Sequence, residues 1–300
     1  GAVCNFYPQC IPQLISSGAI SGLVNSYLNC PVKDIQVEIL CTLYFIIKSK
    51  QVPFEIMTEL IPIFAQLLSN FENLDTILAL ASAFADYGNQ YCFFLIEFIP
   101  FEHLFLCFNE FSNDEQTSFL RLLISIFDYL DSNDLSIIAD CFNWDILLSF
   151  TSRSENESTK KYFSNLLSSA FQKCPNLIAS AAEANIFQLL LSWIESEQYL
   201  IQIAAFYATI KAFVYDFNTV GIFLLESGFL THFISQIDAS SKILTKEICI
   251  ALHVLYDYAN FNAKTELCEI LNLDYISETL NVIENNEELQ SDLLEVIKDS

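Results

Sequence analysis

The chain of 300 residues carries 37 acidic and 13 basic residues, which give a formal net charge of −24 at pH 7. A charge of this size and sign repels the phosphates of nucleic acids and the surfaces of anionic membranes, so both are excluded as expected partners. Hydrophobic residues make up 53% of the chain, yet the most apolar run, at 91–108, is interrupted by Glu97, Pro100 and Glu102. No stretch therefore predicts a membrane-spanning helix.

The ten cysteines lie scattered in apolar runs, with no CxxC pair and no regular spacing. This usage is typical of reduced core residues in an intracellular protein, so we expect a cytoplasmic or nuclear location. Because the sequence begins with Gly1 and not with methionine, we also expect that further residues precede it.

Seven segments place apolar residues at positions i, i+3, i+4 and i+7, which is the pattern of a helix face that packs against its neighbours. The quartets are Ile20/Leu23/Val24/Tyr27, Ile61/Phe64/Ala65/Leu68, Phe101/Leu104/Phe105/Phe108, Trp144/Leu147/Leu148/Thr151, Ile186/Leu189/Leu190/Trp193, Leu230/Phe233/Ile234/Ile237 and Leu273/Ile276/Ser277/Leu280. Successive quartets begin 41, 40, 43, 42, 44 and 43 residues apart. This period is typical of armadillo and HEAT arrays.

A polar break follows each quartet, with residues that are typical of a helix start, so a longer helix is expected after it. The predicted long helices span residues 32–48, 74–87, 115–130, 157–173, 199–215, 244–259 and 287–298. A third, short helix is predicted before most quartets, for example at 133–141, 175–184, 219–227 and 264–271. Three helices per unit favour armadillo repeats over two-helix HEAT repeats.

These elements predict a single all-α domain over residues 1–300, an armadillo-type right-handed superhelical solenoid of about seven three-helix repeats. The predicted repeats cover approximately residues 8–49, 50–88, 89–131, 132–174, 175–217, 218–260 and 261–300. Gly18 and Gly228 each stand just before a quartet, where an abrupt turn between helices needs a residue without a β-carbon.

The ordered series of repeats resembles the C-terminal two thirds of the importin-α family of armadillo adaptors, over nearly all 300 residues. Lys48-Ser-Lys50 followed by Pro53-Phe54 resembles that family's extended link between two middle repeats, and residues 84–89 resemble its helix-ending Asp-Gly-x-Asn turn. Phe119-Leu-Arg121 resembles the repeat in which an arginine replaces the usual tryptophan, and residues 273–287 resemble the closing repeat. The resemblance implies a divergent importin-α without the N-terminal importin-β-binding segment and the early repeats.

The resemblance also implies peptide binding by tryptophan and asparagine, four residues apart, on the concave face of the long helices. The best-aligned positions hold other residues, namely Cys41/Phe45, Ala79/Ala83, Arg121/Ser125, Asn165/Ser169 and Phe206/Ile210. We retain Arg121 and Phe206 as candidate peptide-binding residues. The two tryptophans, Trp144 and Trp193, lie in apolar quartets and are predicted to be buried in the core.

Four aspartates recur near the C-terminal ends of the long helices: Asp86, Asp128, Asp216 and Asp257. A carboxylate in this place opposes the helix dipole, so helix stability does not explain the recurrence. We interpret the four as a strip of negative potential for the Lys and Arg side chains of an extended peptide. The alternatives are solvated surface charges or caps of the following turn.

Two pairs at helical spacing, His103/Cys107 and His253/Asp257, lack the third group that a nucleophile and its base require, so we expect them to serve packing or the surface. The sequence contains no GxSxG, no phosphate-binding glycine loop, no HExxH and no clustered Cys/His spacing. We therefore expect no enzymatic activity, no cofactor and no metal site.

Together these features predict a non-enzymatic adaptor, similar to importin-α, that binds an extended basic segment of the nuclear-localisation type in an acidic concave groove. The expected partners are a protein or a basic peptide, with nuclear transport factors among them, and not a small-molecule substrate. The alternative is an armadillo scaffold or regulatory protein that binds a folded partner and has no transport role.

Overall fold

The computed structural model describes residues 8–65, 71–151, 156–196, 198–227, 229 and 250–251. Within these residues the chain is helical, and none of them lies in a β-strand. The α-helices are α1 (Ile11–Ser16), α2 (Ala19–Asn29), α3 (Lys33–Lys48), α4 (Phe54–Met57), α5 (Ile61–Ala65), α6 (Leu74–Ala85), α7 (Asn89–Phe98), α8 (Phe101–Leu106), α9 (Asn113–Tyr129), α10 (Ser132–Ala139), α11 (Trp144–Thr151), α12 (Glu157–Lys173), α13 (Asn176–Glu183), α14 (Ile186–Ile194), α15 (Tyr199–Tyr215) and α16 (Phe217–Glu226). Short 3-10 helices lie at Pro8–Cys10, Thr58–Leu60 and Phe108–Glu110.

Five of the predicted long helices fall in this part of the chain, as α3, α6, α9, α12 and α15. Each begins and ends within two residues of its predicted bounds, because polar caps and apolar periodicity act locally. The predicted helices at 244–259 and 287–298 lie outside the described residues.

Side-chain caps begin two of the long helices. At α9, Ser112 Oγ accepts a hydrogen bond from the backbone N–H of Glu115 at 3.4 Å, while Glu115 Oε2 accepts one from the backbone N–H of Ser112 at 2.6 Å. This capping box satisfies two backbone donors at once. At α12, Asn156 Oδ1 accepts from the backbone N–H of Ser158 at 2.9 Å.

The turn into a quartet helix uses the left-handed backbone conformation. Gly18, before α2, has φ of +74°, and Asn185, before α14, has φ of +62°. Glycine adopts this conformation without a β-carbon clash, and asparagine is among the residues that tolerate it. The role predicted for Gly18 is confirmed, whereas Gly228 lies outside the described residues.

The chain divides into two compact units, Gly1–Ile186 and Phe187–Ser300. The single-domain organisation and the repeat boundaries stay predictions. Among the described helices, none is by itself long and apolar enough to cross a bilayer, and only α13 and α14 taken together reach that length and composition.

In the first unit, the long helices α3, α6, α9 and α12 pack side by side in chain order. Polar groups join equivalent positions of neighbouring long helices. The hydroxyl groups of Ser82 and Ser125, 43 residues apart, lie at 3.1 Å, and the Tyr129 hydroxyl donates to the backbone carbonyl of Asp86, also 43 residues away, at 3.2 Å. The sequence period is thus the stacking period of the helices.

Aromatic side chains fill the core of this unit. The largest fully buried ones are Tyr27, Phe64, Phe84, Phe105, Phe108, Phe119, Phe127, Phe163 and Phe171. Phe119 is central, since its ring centroid lies 5.2 Å from that of Phe105 and 5.8 Å from that of Phe108. No single repeat could bury these rings, so the stack itself provides the core.

A glutamine in the first turn of alternate long helices ties each helix to the one before it, a feature that the sequence pattern did not reveal. The side-chain amides of Gln36, Gln116 and Gln202 donate to the carbonyls of Cys30, Phe108 and Ile194 at 3.0, 3.1 and 2.9 Å. These carbonyls lie at or just beyond the end of the preceding helix, where intrahelical donors are missing.

In the second unit, α15 packs against α16. Phe206 and Phe213 of α15 contact Phe229, with ring centroids 5.8 and 6.3 Å apart. Trp193 is buried at 7% exposure, which confirms its predicted place in the core.

Candidate functional site

The exposed face of α3, α6 and α9 contains a small cleft of about 80 Å³. Its lining includes Lys48 and Lys50 from the end of α3, Arg121 from α9 and Asp86 from the end of α6. Tyr44 forms one wall, and the small residues Ala79, Ser82 and Ala83 line the α6 side. We call this site the basic cleft, because three cations meet one carboxylate there.

Two of the three cations of the basic cleft lie over aromatic rings. Lys48 Nζ is 5.3 Å from the centroid of the Tyr44 ring, and Arg121 Cζ is 5.8 Å from that of Tyr162 on α12. In the described part of the chain, no carboxylate lies within 4.0 Å of Lys48, Lys50 or Arg121. Cation–π contacts hold these groups in place and leave N–H donors for another acceptor.

Asp86 and Asp128 occupy successive long helices on this face. Ser169 of α12 donates to Asp128 Oδ1 at 3.0 Å. Burial of the carboxyl raises the pKa of Asp128, and the negative charge of Asp86 raises it further, while the Ser169 hydrogen bond and the charge of Lys173 act in the opposite direction. Tyr129, the residue after Asp128, donates from its hydroxyl to the Asp86 carbonyl at 3.2 Å, so the helix ends that carry the two aspartates are adjacent.

Of the other predicted site residues, Asp216 and Phe206 belong to the second unit. Asp216 lies in the second unit and caps α16, since its Oδ1 accepts from the backbone N–H of Thr219 at 3.2 Å. This is the turn-capping alternative raised by the sequence. Phe206 is only 1% exposed, so the prediction that it lines a binding surface is wrong. Asp257 lies outside the described residues.

Apart from Phe45, the first-unit positions that align with the tryptophan–asparagine pairs are occupied by small, polar or charged side chains. Ser125 bonds to Ser82, Ser169 bonds to Asp128, and Arg121 lines the basic cleft. The acidic groove stays a prediction, and on this part of the surface lysine and arginine lie beside aspartate.

A second cleft in the first unit, of about 480 Å³, shares no lining residue with the basic cleft. Its charged lining consists of Glu102, Asp140, Asp145 and Glu183, and its apolar lining includes Phe105, Leu106, Phe142 and Trp144. We call it the acidic cleft.

Trp144 is half-buried in the wall of the acidic cleft, so its predicted full burial is wrong. Its indole N–H donates to Ser180 Oγ at 2.9 Å. The ring also contacts Phe142, with centroids 5.3 Å apart, so the indole is held in the cleft wall while part of it stays exposed.

His103 and Cys107 lie close together, with Nδ1 and Sγ 4.0 Å apart. Burial, followed by the charge of Glu110, raises the pKa of the Cys107 thiol, which disfavours a nucleophilic thiolate. The His103 ring stacks on Phe71 with centroids 5.3 Å apart, which agrees with a packing role. Among the described residues, no three His, Cys, Asp or Glu side chains are grouped to hold a metal ion.

No protein-family model and no curated protein matches this sequence. Solved structures do match. An engineered protein is 15% identical with a TM-score of 0.75, covering 97% of this chain and 70% of its own. A designed armadillo repeat protein in complex with peptide (KR)4 is 15% identical with a TM-score of 0.65, covering 78% of this chain and 98% of its own.

A third structure comes from computationally designed armadillo repeat proteins for modular peptide recognition. It is 17% identical with a TM-score of 0.61, and the match covers 79% of this chain and 98% of that one. Together with the helices described above, these similarities confirm the fold class: the protein is an all-α, armadillo-type solenoid. The number of seven repeats stays a prediction.

Proposed function

We propose that the protein is a non-enzymatic binding module that holds an extended peptide segment on the exposed face of α3, α6, α9 and α12. The observation that carries this proposal is the pair Asp86 and Asp128 at the ends of successive long helices, which the hydrogen bond from the Tyr129 hydroxyl to the Asp86 carbonyl holds together at 3.2 Å. A Lys or Arg side chain bound at these helix ends would meet both carboxylates.

The dimensions of the stack fit an extended chain. Neighbouring helices lie about 10 Å apart, which corresponds to about three residues of extended peptide at about 3.3 Å each. Side chains at intervals of about three residues along such a segment can thus contact successive helices. The small residues Ala79 and Ala83 leave room for the peptide to approach the helices.

Two further facts support a basic segment. The chain carries a net charge of −24, which attracts cations over a long range. One structural neighbour is a designed armadillo protein in complex with peptide (KR)4. The nuclear-import role and the cytoplasmic or nuclear location implied by the sequence resemblance form the biological setting of this proposal, and they rest on that resemblance.

The alternative role, docking of a folded partner, is favoured by the acidic cleft. Its volume is about 480 Å³, and Leu106 in its lining is 58% exposed. An apolar surface with a charged rim is a common form of protein interface.

The proposal is tested by titrating a fluorescently labelled (KR)4 peptide against the protein and against Asp86→Asn/Asp128→Asn. The double variant should weaken binding by about 3- to 30-fold at low salt, because each partly exposed charge contact contributes up to about 1 kcal/mol. Binding to the unsubstituted protein should also weaken as salt rises to physiological strength, where the Debye length is about 8 Å.

The matched control is Asp34→Asn/Asp134→Asn, which removes two carboxylates from the first turns of α3 and α10. It changes the net charge equally and should retain most of the affinity. Equal losses in both double variants, or no binding to the unsubstituted protein at low salt, would contradict the proposed site.

A further inference from the structure

The basic cleft reverses the charge balance of the whole chain. Three of the chain's 13 basic residues line it, against one of its 37 acidic residues. A random surface of this protein would show the opposite ratio. Because charges in salt solution act over about 8 to 10 Å, a group bound in this cleft responds mainly to the charges that line it, which are three cations and the carboxylate of Asp86.

These cations are available to a ligand. Aromatic rings hold Lys48 and Arg121, and no carboxylate of the described residues pairs with either of them. The planar guanidinium of Arg121 presents two parallel N–H donors, which match the two oxygens of a carboxylate. A carboxylate would therefore gain hydrogen bonds here without first breaking an ion pair.

Lys50 adds a second line of evidence from the backbone. It follows the C-terminus of α3, its N–H donates to the Ile47 carbonyl at 2.9 Å, and its φ is +57°. Glycine or asparagine is the usual residue at such a left-handed helix end, because a β-carbon is strained there. A lysine at this position sacrifices local stability and places an ammonium group in the cleft, which is the pattern expected of a functional position.

The size of the cleft limits what it admits. Its volume is about 80 Å³, whereas that of the acidic cleft is about 480 Å³. This space suits the carboxylate group of one side chain, and the short side chains of Ala79 and Ala83 on α6 leave room for it.

We infer that the basic cleft binds the carboxylate of an Asp or Glu residue of a peptide partner. This inference rests on the proposed binding of an extended segment, and it assigns that segment a mixed charge. A Lys or Arg meets Asp86 and Asp128, and an acidic residue about three positions away meets Lys48, Lys50 and Arg121.

Three labelled peptides of equal length test this assignment. The reference peptide has a Lys-Arg-Lys-Arg core flanked by Gly, Ser and Gln. The second has Glu in place of the Gln three residues before the core, and the third has Glu in place of the Gln three residues after it. The net charge of −24 should weaken binding of both Glu peptides relative to the reference peptide. A Glu peptide that binds more tightly than the reference peptide therefore indicates a nearby cation on the protein.

We expect one of the two Glu peptides to bind at least about threefold more tightly than the reference peptide. The variant Lys48→Gln/Arg121→Gln should abolish this gain while it keeps or improves binding of the reference peptide. The control Lys33→Gln/Lys160→Gln, with the same change in net charge, should preserve the gain. Circular dichroism verifies that each variant folds.

The outcomes separate the two claims. If the reference peptide binds and neither Glu peptide binds more tightly, or if the gain survives in Lys48→Gln/Arg121→Gln, the carboxylate site is overturned and the proposed function stands. If a Glu peptide binds and the reference peptide does not, the carboxylate site stands and the role of Asp86 and Asp128 is overturned. Absence of binding by all three peptides overturns both.

Discussion

The basic cleft and the acidic cleft lie in the same helical unit and carry opposite charges. The first joins Lys48, Lys50 and Arg121 in about 80 Å³, whereas four carboxylates surround an aromatic wall in the second, which is about six times larger. Composition alone predicted only the acidic surface. The difference shows that the net charge of a solenoid does not determine the charge of a particular surface on it.

The physical reason is the short range of electrostatic interaction in salt solution. The Debye length of about 8 Å at physiological ionic strength is comparable with the diameter of one helix. The electrostatic potential at each exposed surface of a helical stack therefore depends on the few charged residues that the helices of that surface contribute. Two partners of opposite charge could bind such a protein at separate sites.

The largest expected effect concerns the core between the two clefts. Phe119 on α9 is fully buried and packs on Phe105, which lines the acidic cleft, while Arg121 on the same helix lines the basic cleft. Phe119→Ala should lower the free energy of unfolding by about 3 to 5 kcal/mol. Both clefts should lose binding together as the unit unfolds.

Urea denaturation followed by circular dichroism measures this loss, with Leu106→Ala as the control. Leu106 is 58% exposed, so its truncation should change the stability by no more than about 0.5 kcal/mol. Similar effects of the two substitutions would contradict the assignment of Phe119 to the core.

The two tryptophans provide the next test, because only one of them lines a cleft. Trp193→Phe leaves Trp144 as the single tryptophan, and its half-exposed ring should be quenched readily by acrylamide. Trp144→Phe leaves Trp193, which is 7% exposed and should be protected until the protein unfolds. Stern–Volmer plots of both variants give the comparison, and equal quenching would show that the acidic cleft is closed.

A smaller effect is expected at the strained residue of the basic cleft. Lys50→Gly should stabilise the fold by about 0.5 to 1 kcal/mol, since relief of the left-handed strain exceeds the entropy that glycine adds to the unfolded chain. The same substitution removes one cation and should weaken binding of the Glu peptides. Thermal unfolding and peptide titration of one variant thus show whether stability and binding oppose each other at Lys50.

The smallest effect is electrostatic. Because the pKa of Asp128 is raised in the folded state, the folded protein binds this proton more tightly than the unfolded chain. The contribution of Asp128 to stability therefore falls as pH rises from the unfolded pKa through the folded one, and it stays lower above that interval. Asp86→Asn removes a like charge and should lower the pKa of Asp128.

Carboxyl-detected NMR titration of Asp128 measures that change, and Asp34→Asn serves as a remote control. An unchanged pKa in Asp86→Asn would contradict the electrostatic coupling of the two aspartates.

The sequence by itself determined the helical elements, because their signals act over a few residues. Quartet spacing, the cap at Ser112 and the left-handed glycine at Gly18 each depend on neighbours within one or two turns of the chain. For the same reason the long helices in the described part of the chain begin and end close to their predicted positions. The recurrence of these signals predicted the armadillo-type fold.

Only the tertiary structure decided which side chains share a surface. Phe206 lies in a helix with apolar residues on most of its sides, so its own pattern could not show which of them face solvent. Trp144 fits the apolar quartet but is only partly buried, because it lines the acidic cleft. Lys48 and Arg121 belong to helices two repeats apart, and they meet because α3, α6 and α9 stack. Such proximity depends on the direction in which each helix turns its side chains toward its neighbours, which no local sequence signal encodes.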